Sequence, residues 1–167
     1  LGGLGVLGGV CALWLIEHAC VHNLVLSGRS GRASPRRSLA WLEHAAPVVT
    51  LSRTNAACSA DARMFLGTSP PPSPLAAVLQ AGGVLADASL ANQRVLGVRA
   101  VLPPKENATL EVLASTQLSL MRAFVGFSSI AGLLGNKGQL AYAFANEAMA
   151  RTLDGCRLVT GMTSSAI

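Results

Sequence analysis

Tyr142 and Asn146 stand one helical turn apart, downstream of Ser129, in the stretch FSSIAGLLGNKGQLAYAFAN that runs from Phe127 to Asn146. At that spacing a phenol and a carboxamide share a helix face and can point together into one cleft. Tyr142 is the only tyrosine in the chain. A neutral phenol, with a reference pKa of about 10, keeps its proton and can give it to a carbonyl oxygen; near neutral pH it needs a positive charge nearby to do so efficiently. Lys105 is read as that charge, Ser129 as the hydrogen-bonding partner of the substrate oxygen, and Asn146 as the group that holds the lysine or a proton-relaying water. Singly, each has an ordinary structural reading: a core-facing ring with a surface hydroxyl, a capping serine, a solvated lysine, an exposed helical asparagine. Asparagine is nevertheless a poor helix-interior residue and needs a reason to be there.

A second chemical signal lies at the opposite end. Gly3, Gly5 and Gly8 fit G-x-G-x-x-G and lead into an apolar stretch predicted to be helical. Backbone N–H groups and a positive helix terminus can face a pyrophosphate only where side chains do not crowd them. Alone the pattern is weak, because glycines also serve tight turns. The segment Ser27-Gly28-Arg29-Ser30 strengthens it, since it ends the next predicted strand, near where a nucleotide ribose would lie. An acidic residue there would favour a free 2′-hydroxyl; Arg29 favours a 2′-phosphate, hence NADPH over NADH. The ordinary alternative for Arg29 is a solvated turn arginine.

The elements expected to position these groups alternate. Residues 10–19 read as a helix, 22–27 as a short buried strand, 38–44 as a short helix and 47–51 as a strand. Residues 53–67 are ambiguous, with a possible helical turn over 60–66. Four prolines in residues 68–74 break regular structure. Residues 75–79 then read as a strand, 110–120 as a helix with Lys105 on or just before its first turns, 123–127 as a strand, 139–153 as a helix and 157–160 as a last strand. This alternation predicts an α/β fold, a Rossmann-like doubly wound parallel sheet covered on both faces. The glycine turn has no strand before it, so the sheet is expected to be incomplete at the first strand and the chain to be a fragment.

Composition is consistent with one domain. The 167 residues carry 51% hydrophobic residues, 13% charged residues and 4% aromatics, so the core must be aliphatic. The net charge of +5 comes from mostly scattered basic residues, apart from Arg29, Arg32, Arg36 and Arg37. That cluster suits a phosphorylated small ligand, and the scarcity of aromatics argues against a nucleic-acid module. The four cysteines, Cys11, Cys20, Cys58 and Cys156, follow no metal-ligand spacing, so no metal is expected and a reducing, cytoplasmic compartment is. The uncharged opening sixteen residues are too short to span a bilayer and lack a signal peptide's positive leader; no membrane role is expected.

Together the motifs GGLGVLGG, NLVLSGRSG, PLAAVLQAGGVLADASLANQ, VLPPKENA and AFVGFSSIAGLLGNKGQLAYAFANEAM resemble the ketoreductase domain of type I polyketide synthases, in the short-chain dehydrogenase/reductase superfamily. The resemblance is strongest over residues 1–31, 75–108 and 123–149 of what reads as one partial domain, 1–167. Its most specific part is G-Q-x-x-Y-x-x-x-N with the lysine upstream in LPPK, whereas ordinary superfamily members exchange the lysine and asparagine positions. The resemblance implies NADPH-dependent reduction of a β-ketoacyl thioester carried by an acyl-carrier protein, among neighbouring megasynthase domains. It makes Tyr142 the proton donor, with Ser129, Lys105 and Asn146 completing the catalytic set. Gly82 and Gly83 of Gln80-Ala-Gly-Gly join Gly3, Gly5, Gly8, Ser27 and Arg29 at the cofactor. Asp87 of Leu85-Ala86-Asp87, Leu134 and Gln139 fall at substrate and stereochemical positions. They place the chain in the class giving the D-configured alcohol, with one acidic residue of the family's LDD-like motif missing.

The chain departs from the family pattern in several places. No acidic residue stands near residues 52–55 to meet adenine, and Asp61 comes late. Gln80 replaces the usual histidine of an HAAG-like turn, and the branched Val6 fills a turn position often held by glycine or alanine. The helix between the third and fourth strands is expected to be shortened or lost, and the C-terminal substrate lid to be incomplete. Two other readings remain at this stage: the ketoreductase of a type I fatty-acid synthase, and a truncated non-catalytic structural remnant.

Overall fold

The computed structural model describes residues 1–19, 21–32, 48–67, 75–118 and 120–167. The helix expected at 38–44, the proline-rich break at 68–74, Cys20, Arg36 and Arg37 lie outside the described residues. Strands and helices alternate: α1 (Val6–His18), β1 (Asn23–Gly28), β2 (Val48–Arg53), α2 (Ser59–Gly67), β3 (Ala77–Gln80), α3 (Val95–Val101), α4 (Ala108–Ser115), β4 (Ala123–Gly126), α5 (Ile130–Leu134), α6 (Leu140–Thr160) and β5 (Thr163–Ala166). A short 3-10 turn, Leu90–Asn92, precedes α3, and a widened π-helical turn, Pro103–Asn107, joins α3 to α4.

Every described strand pair is parallel. β1 pairs with β2 in the register Asn23 with Val48, while β4 lies between β3 and β5, with Ala77 opposite Ala123 and Ala123 opposite Thr163. Parallel strands need helical crossovers, which cover both faces and make the strands apolar throughout. The expected α/β architecture is therefore present, and so is its discontinuity. Between β1 and β3 lies an apolar cavity of about 430 Å³, walled by Leu24, Leu26, Val78 and Leu79 and floored by Ala12 and Leu15 of α1. Leu1 enters one end of it. Its amine donates to the Leu79 carbonyl at 2.5 Å, and the Ala81 amide returns a bond to the Leu1 carbonyl at 2.9 Å, a single parallel bridge onto β3. A strand continuing that bridge along the cavity would join the two sheets into one.

The main core sits between β3, β4, α4 and α6, where Val78, Val112, Met121, Phe124, Met149, Leu153 and Met162 pack together. With few aromatics to fill space, methionine does much of it, its unbranched thioether adapting to irregular gaps. Gly126 lets α6 lie close on β4: a Cβ there would meet Leu153 Cδ1 at 2.8 Å and Met149 Cε at 2.9 Å. A smaller cluster of Leu4, Ala12 and Leu26 fastens α1 to β1.

One expected strand moves, and one ambiguous stretch resolves. Residues 157–160 are not a strand but the last turn of α6, which runs to Gly161, a left-handed C-cap at φ 69°. The last strand is the polar Thr163–Ala166, held because Ser164 is buried and donates to the Leu153 carbonyl at 2.7 Å. The ambiguous stretch after β2 is a nine-residue helix, α2, so the helix there is short but present.

Candidate active site

The carboxyl ends of β1 to β4 carry the candidate residues, the edge at which open parallel sheets bind ligands. A cleft of about 210 Å³ opens there, lined by Gly2, Gly5, Ser27, Gly28, Arg29 and Thr54 on one side. Gln80, Gly82, Gly83 and Pro104 line the other. Its floor is two glycine segments back to back. Gly2 adopts φ 68°, and a Cβ there would stand 2.6 Å from the Gly82 nitrogen. Only glycine serves at such a position, through both its backbone conformation and the backbone against it.

The three fingerprint glycines divide their work. Gly5 lines the cleft and is the N-cap of α1, with no side chain capping the helix and no acidic residue in its first turn. Gly3 and Gly8 face the other way, towards the apolar cavity. A Cβ on Gly8 would lie 2.5 Å from both the Gly2 carbonyl oxygen and Gly3 Cα, and one on Gly3 would lie 3.0 Å from the Leu26 side chain. They bring helix to turn and turn to strand, leaving the uncapped amides of α1 beside Gly5 for an anion. Val6 begins the helix half-exposed and is not among the residues lining the cleft. Exposed Arg29 lies in the wall at the end of β1, above buried Ser27. These features fit a dinucleotide phosphate.

The sequence carries no marker for Thr54, Asn55, Ala56 and Ala57, which complete the wall beyond β2. Thr54 is buried, its hydroxyl 2.5 Å from that of Ser52. Asp61 is not among the residues lining the cleft. It reaches back from α2 to accept a bond from the Asn55 amide at 2.9 Å, and the wall there carries neutral Asn55.

Lys105 is the least expected in its environment. Only 3% of it is exposed, yet among the described residues no carboxylate forms a salt bridge with it. It sits in the π-helical turn, whose widened backbone is held by a Thr109 hydroxyl bond to the Lys105 carbonyl at 2.8 Å. The side chain passes beside Gly83, where a Cβ would meet its Cε at 3.2 Å. Its Nζ donates to the Phe127 carbonyl at the end of β4. Desolvation lowers its pKa from 10.5 to about 8. A desolvated lysine beside a cleft is a candidate functional group.

Two residues beyond that carbonyl, Ser129 N-caps α5, its hydroxyl accepting from the Ala131 amide at 3.2 Å. The half-buried Tyr142 packs on the cluster of Val101, Ala141 and Ala145 that joins α3 to α6. Asn146, one turn on, is fully buried. Its Nδ2 bonds the Tyr142 carbonyl at 2.8 Å, and its Oδ1 has no partner. An unpaired buried acceptor costs about 1–3 kcal/mol, and such a group calls for a donor supplied at the site. α6 packs against both the lysine turn and α5, so the elements bearing Lys105, Ser129, Tyr142 and Asn146 form one neighbourhood.

Asp87, Gln139 and Leu134 lie on the loops and the helix that flank it. Gln139 donates to Asp87 at 3.0 Å and accepts from Asn136 at 2.9 Å, clasping the loop after β3 to the loop before α6. Leu134 is 78% exposed on α5.

A parallel sheet with helical crossovers and a glycine-lined cleft at its carboxyl edge is an α/β arrangement of the Rossmann type. A family model described as the KR domain matches residues 1–167, and the chain belongs to that family, the ketoreductases of polyketide synthases. It is 36% identical over 154 residues to the pikromycin polyketide synthase component PikAII of Streptomyces venezuelae, covering 89% of this chain and 4% of that protein. It is 34% identical over 148 residues to the mycoketide-CoA synthase of Mycobacterium tuberculosis, covering 87% of this chain and 4% of that protein. Solved A-type ketoreductases from a modular polyketide synthase superpose with a TM-score of 0.88 at 32% identity, covering 99% of this chain and 35% of theirs. A short-chain dehydrogenase from Mycobacterium avium, 18% identical with a TM-score of 0.81, shares the fold. The chain thus spans a small fraction of the synthases and about a third of the solved ketoreductases. Among the described residues no helix is long and apolar enough to cross a membrane.

Proposed function

We propose that this chain is the cofactor-binding and proton-donating part of an NADPH-dependent β-ketoacyl reductase acting on an acyl-carrier-protein thioester in polyketide assembly. The observation that carries this reading is the buried Lys105, beside Gly83 of the cleft and bonded to the strand end that leads to Ser129. Arg29 and the amides around Gly5 would hold the cofactor's phosphates. Bound NADPH would supply the hydride that goes to the β-carbon. Ser129 donates a hydrogen bond to the β-keto oxygen and Tyr142 passes its phenolic proton to that oxygen. Lys105, protonated below about pH 8, favours the phenolate that is left. The Asn146 carboxamide oxygen takes a hydrogen bond from Lys105 or from a water that returns the proton.

The Asp87–Gln139 clasp borders the substrate side, and the sequence at residues 85–87 and 134 supports the D-configured alcohol as product. The partners are an acyl-carrier protein and neighbouring synthase domains. In the chain with the flanking residues of its relatives, a fluorescence titration should give tighter NADPH than NADH binding, and a β-ketoacyl thioester should be reduced. Tyr142→Phe should lower turnover about 100- to 10,000-fold while cofactor binding is kept. Near-parent turnover by a folded, cofactor-saturated Tyr142→Phe protein would remove the assigned proton donor. Chiral analysis of the product tests the stereochemical reading.

A further inference from the structure

Gln80 is the last residue of β3 and its side chain is almost wholly buried, at 1% exposure. Burying a carboxamide is costly unless both ends are paired, and both ends of this one are. Its Oε1 accepts from the Gly82 amide at 3.0 Å, and its Nε2 donates to the Pro104 carbonyl at 2.8 Å. The first bond holds the glycine turn that lines the cleft. The second holds the residue immediately before Lys105. The Gln80 main chain adds a third tie, its carbonyl accepting from the Phe127 amide at 2.9 Å, while the Phe127 carbonyl accepts from Lys105 Nζ. One residue therefore joins the cofactor turn, the lysine turn and the strand end that the lysine reaches.

No shorter or apolar side chain does this. Asparagine lacks the methylene needed to span both backbone groups, and methionine has the length without the hydrogen bonds. Gly82 is shaped around the same group, since a Cβ on Gly82 would stand 3.1 Å from Gln80 Oε1 and 3.6 Å from the Pro104 oxygen. The packing leaves little room for the two turns to move independently.

We infer that Gln80 is a positioning residue whose single carboxamide couples occupancy of the glycine-turn cleft to the placement of the Lys105 ammonium. The inference rests on the reductase reading for the meaning of that placement, but the coupling itself is observable without turnover. Lys105 and Lys137 are the only two lysines in the chain, and Lys137 is exposed. Lysine labelled with carbon-13 at Cε therefore gives two signals, assigned with Lys137→Arg.

In the parent, the Lys105 signal should titrate well below the ordinary lysine range and shift when NADPH is added. In Gln80→Met, the lysine turn is released towards water. The midpoint should rise by at least about one pH unit, the NADPH-induced shift should vanish, and NADPH should bind about two- to tenfold more weakly. Gln80→Asn, which keeps a polar group at the site, should show the same loss of coupling and serves if Gln80→Met does not fold. A folded variant whose Lys105 midpoint and NADPH-induced shift match the parent's overturns the inference, whatever its turnover. If the coupling is lost as described but the chain with the flanking residues of its relatives, saturated with NADPH, reduces no β-ketoacyl thioester, the reductase reading fails and the role of Gln80 stands.

Discussion

Replacing Gly8 with alanine tests the geometry that makes the cofactor cleft. In the middle of a helix the change should help: alanine is favoured over glycine by about 0.8–1.0 kcal/mol. At Gly8 the new methyl would stand 2.5 Å from the Gly2 carbonyl oxygen and from Gly3 Cα. Both are backbone atoms, so no side chain can swing aside; α1 must back away from its own turn. Overpacking of this kind costs about 1–3 kcal/mol and more when backbone must shift. Clearing a carbon–oxygen contact of 2.5 Å requires a displacement approaching 1 Å, which puts Gly8→Ala at the upper end. The net expectation is destabilisation of about 2 kcal/mol, with NADPH binding weakened because the first-turn amides of α1 beside Gly5 move with the helix.

Gly155 is the internal control. It lies in α6, exposed, with nothing within 4 Å of a built Cβ, so Gly155→Ala should stabilise by about 0.5–1 kcal/mol. Urea unfolding of the two variants beside the parent, with unchanged m-values, reads the difference directly. The two substitutions should move the midpoint in opposite directions. If Gly8→Ala also stabilises, α1 is not packed on the glycine turn as described, and the argument for an amide-lined cleft fails with it.

Arg29→Asp should cut the preference for NADPH over NADH by about 10- to 100-fold, the worth of a hydrogen bond to a charged group, read from the ratio of the two dissociation constants. Lys105 gives opposite pH trends for activity and stability. Turnover should fall above about pH 8 as the ammonium is lost. Its folded pKa lies below its unfolded value of 10.5, so the unfolded chain binds more protons between those values and stability should rise with pH across that window, by up to about 3 kcal/mol. The difference in unfolding free energy between the parent and Lys105→Met, measured at pH 7.5 and again near pH 10, isolates the effect; no change with pH would contradict it. Asn146→Ala removes a buried oxygen that has no partner and improves helix propensity, so it should leave stability within about 1 kcal/mol of the parent while turnover falls at least tenfold. Parallel losses of stability and activity would instead make Asn146 a core residue.

The fold was legible where burial writes a pattern. The apolar runs at β1, β3 and β4 and the start of α6 are visible in the letters. Misreadings arose where tertiary context decides. The run Arg157–Thr160 has the branched residues of a short strand and follows Gly155, which looks like a helix stop. The helix continues because Gly155 keeps helical geometry, and Gly161 provides the left-handed cap. β5 is Thr-Ser-Ser-Ala, a loop by composition, and forms because β4 offers it an edge and α6 a partner for Ser164. α3 escaped notice because its exposed Val95 and Leu96 blur the helical stripe. At the candidate site, residue types suggested the chemistry but not the supports. Nothing in the letters marks Gln80 as joined at both ends, or Asp61 as a brace for a loop rather than a ligand contact.

The π-helical turn has a consequence for how the protein should fail on heating. A lysine on the tyrosine's own helix would stay with it until that helix melts. Here the ammonium arrives on a separate five-residue turn, held by Gln80, Thr109 and the Phe127 carbonyl rather than by a helix ladder common to both. Local opening of such a turn needs far less energy than global unfolding. Activity should therefore decay at temperatures where α6 still shows full hydrogen-exchange protection. Reinforcing this one turn would extend the working range more than further packing of the core.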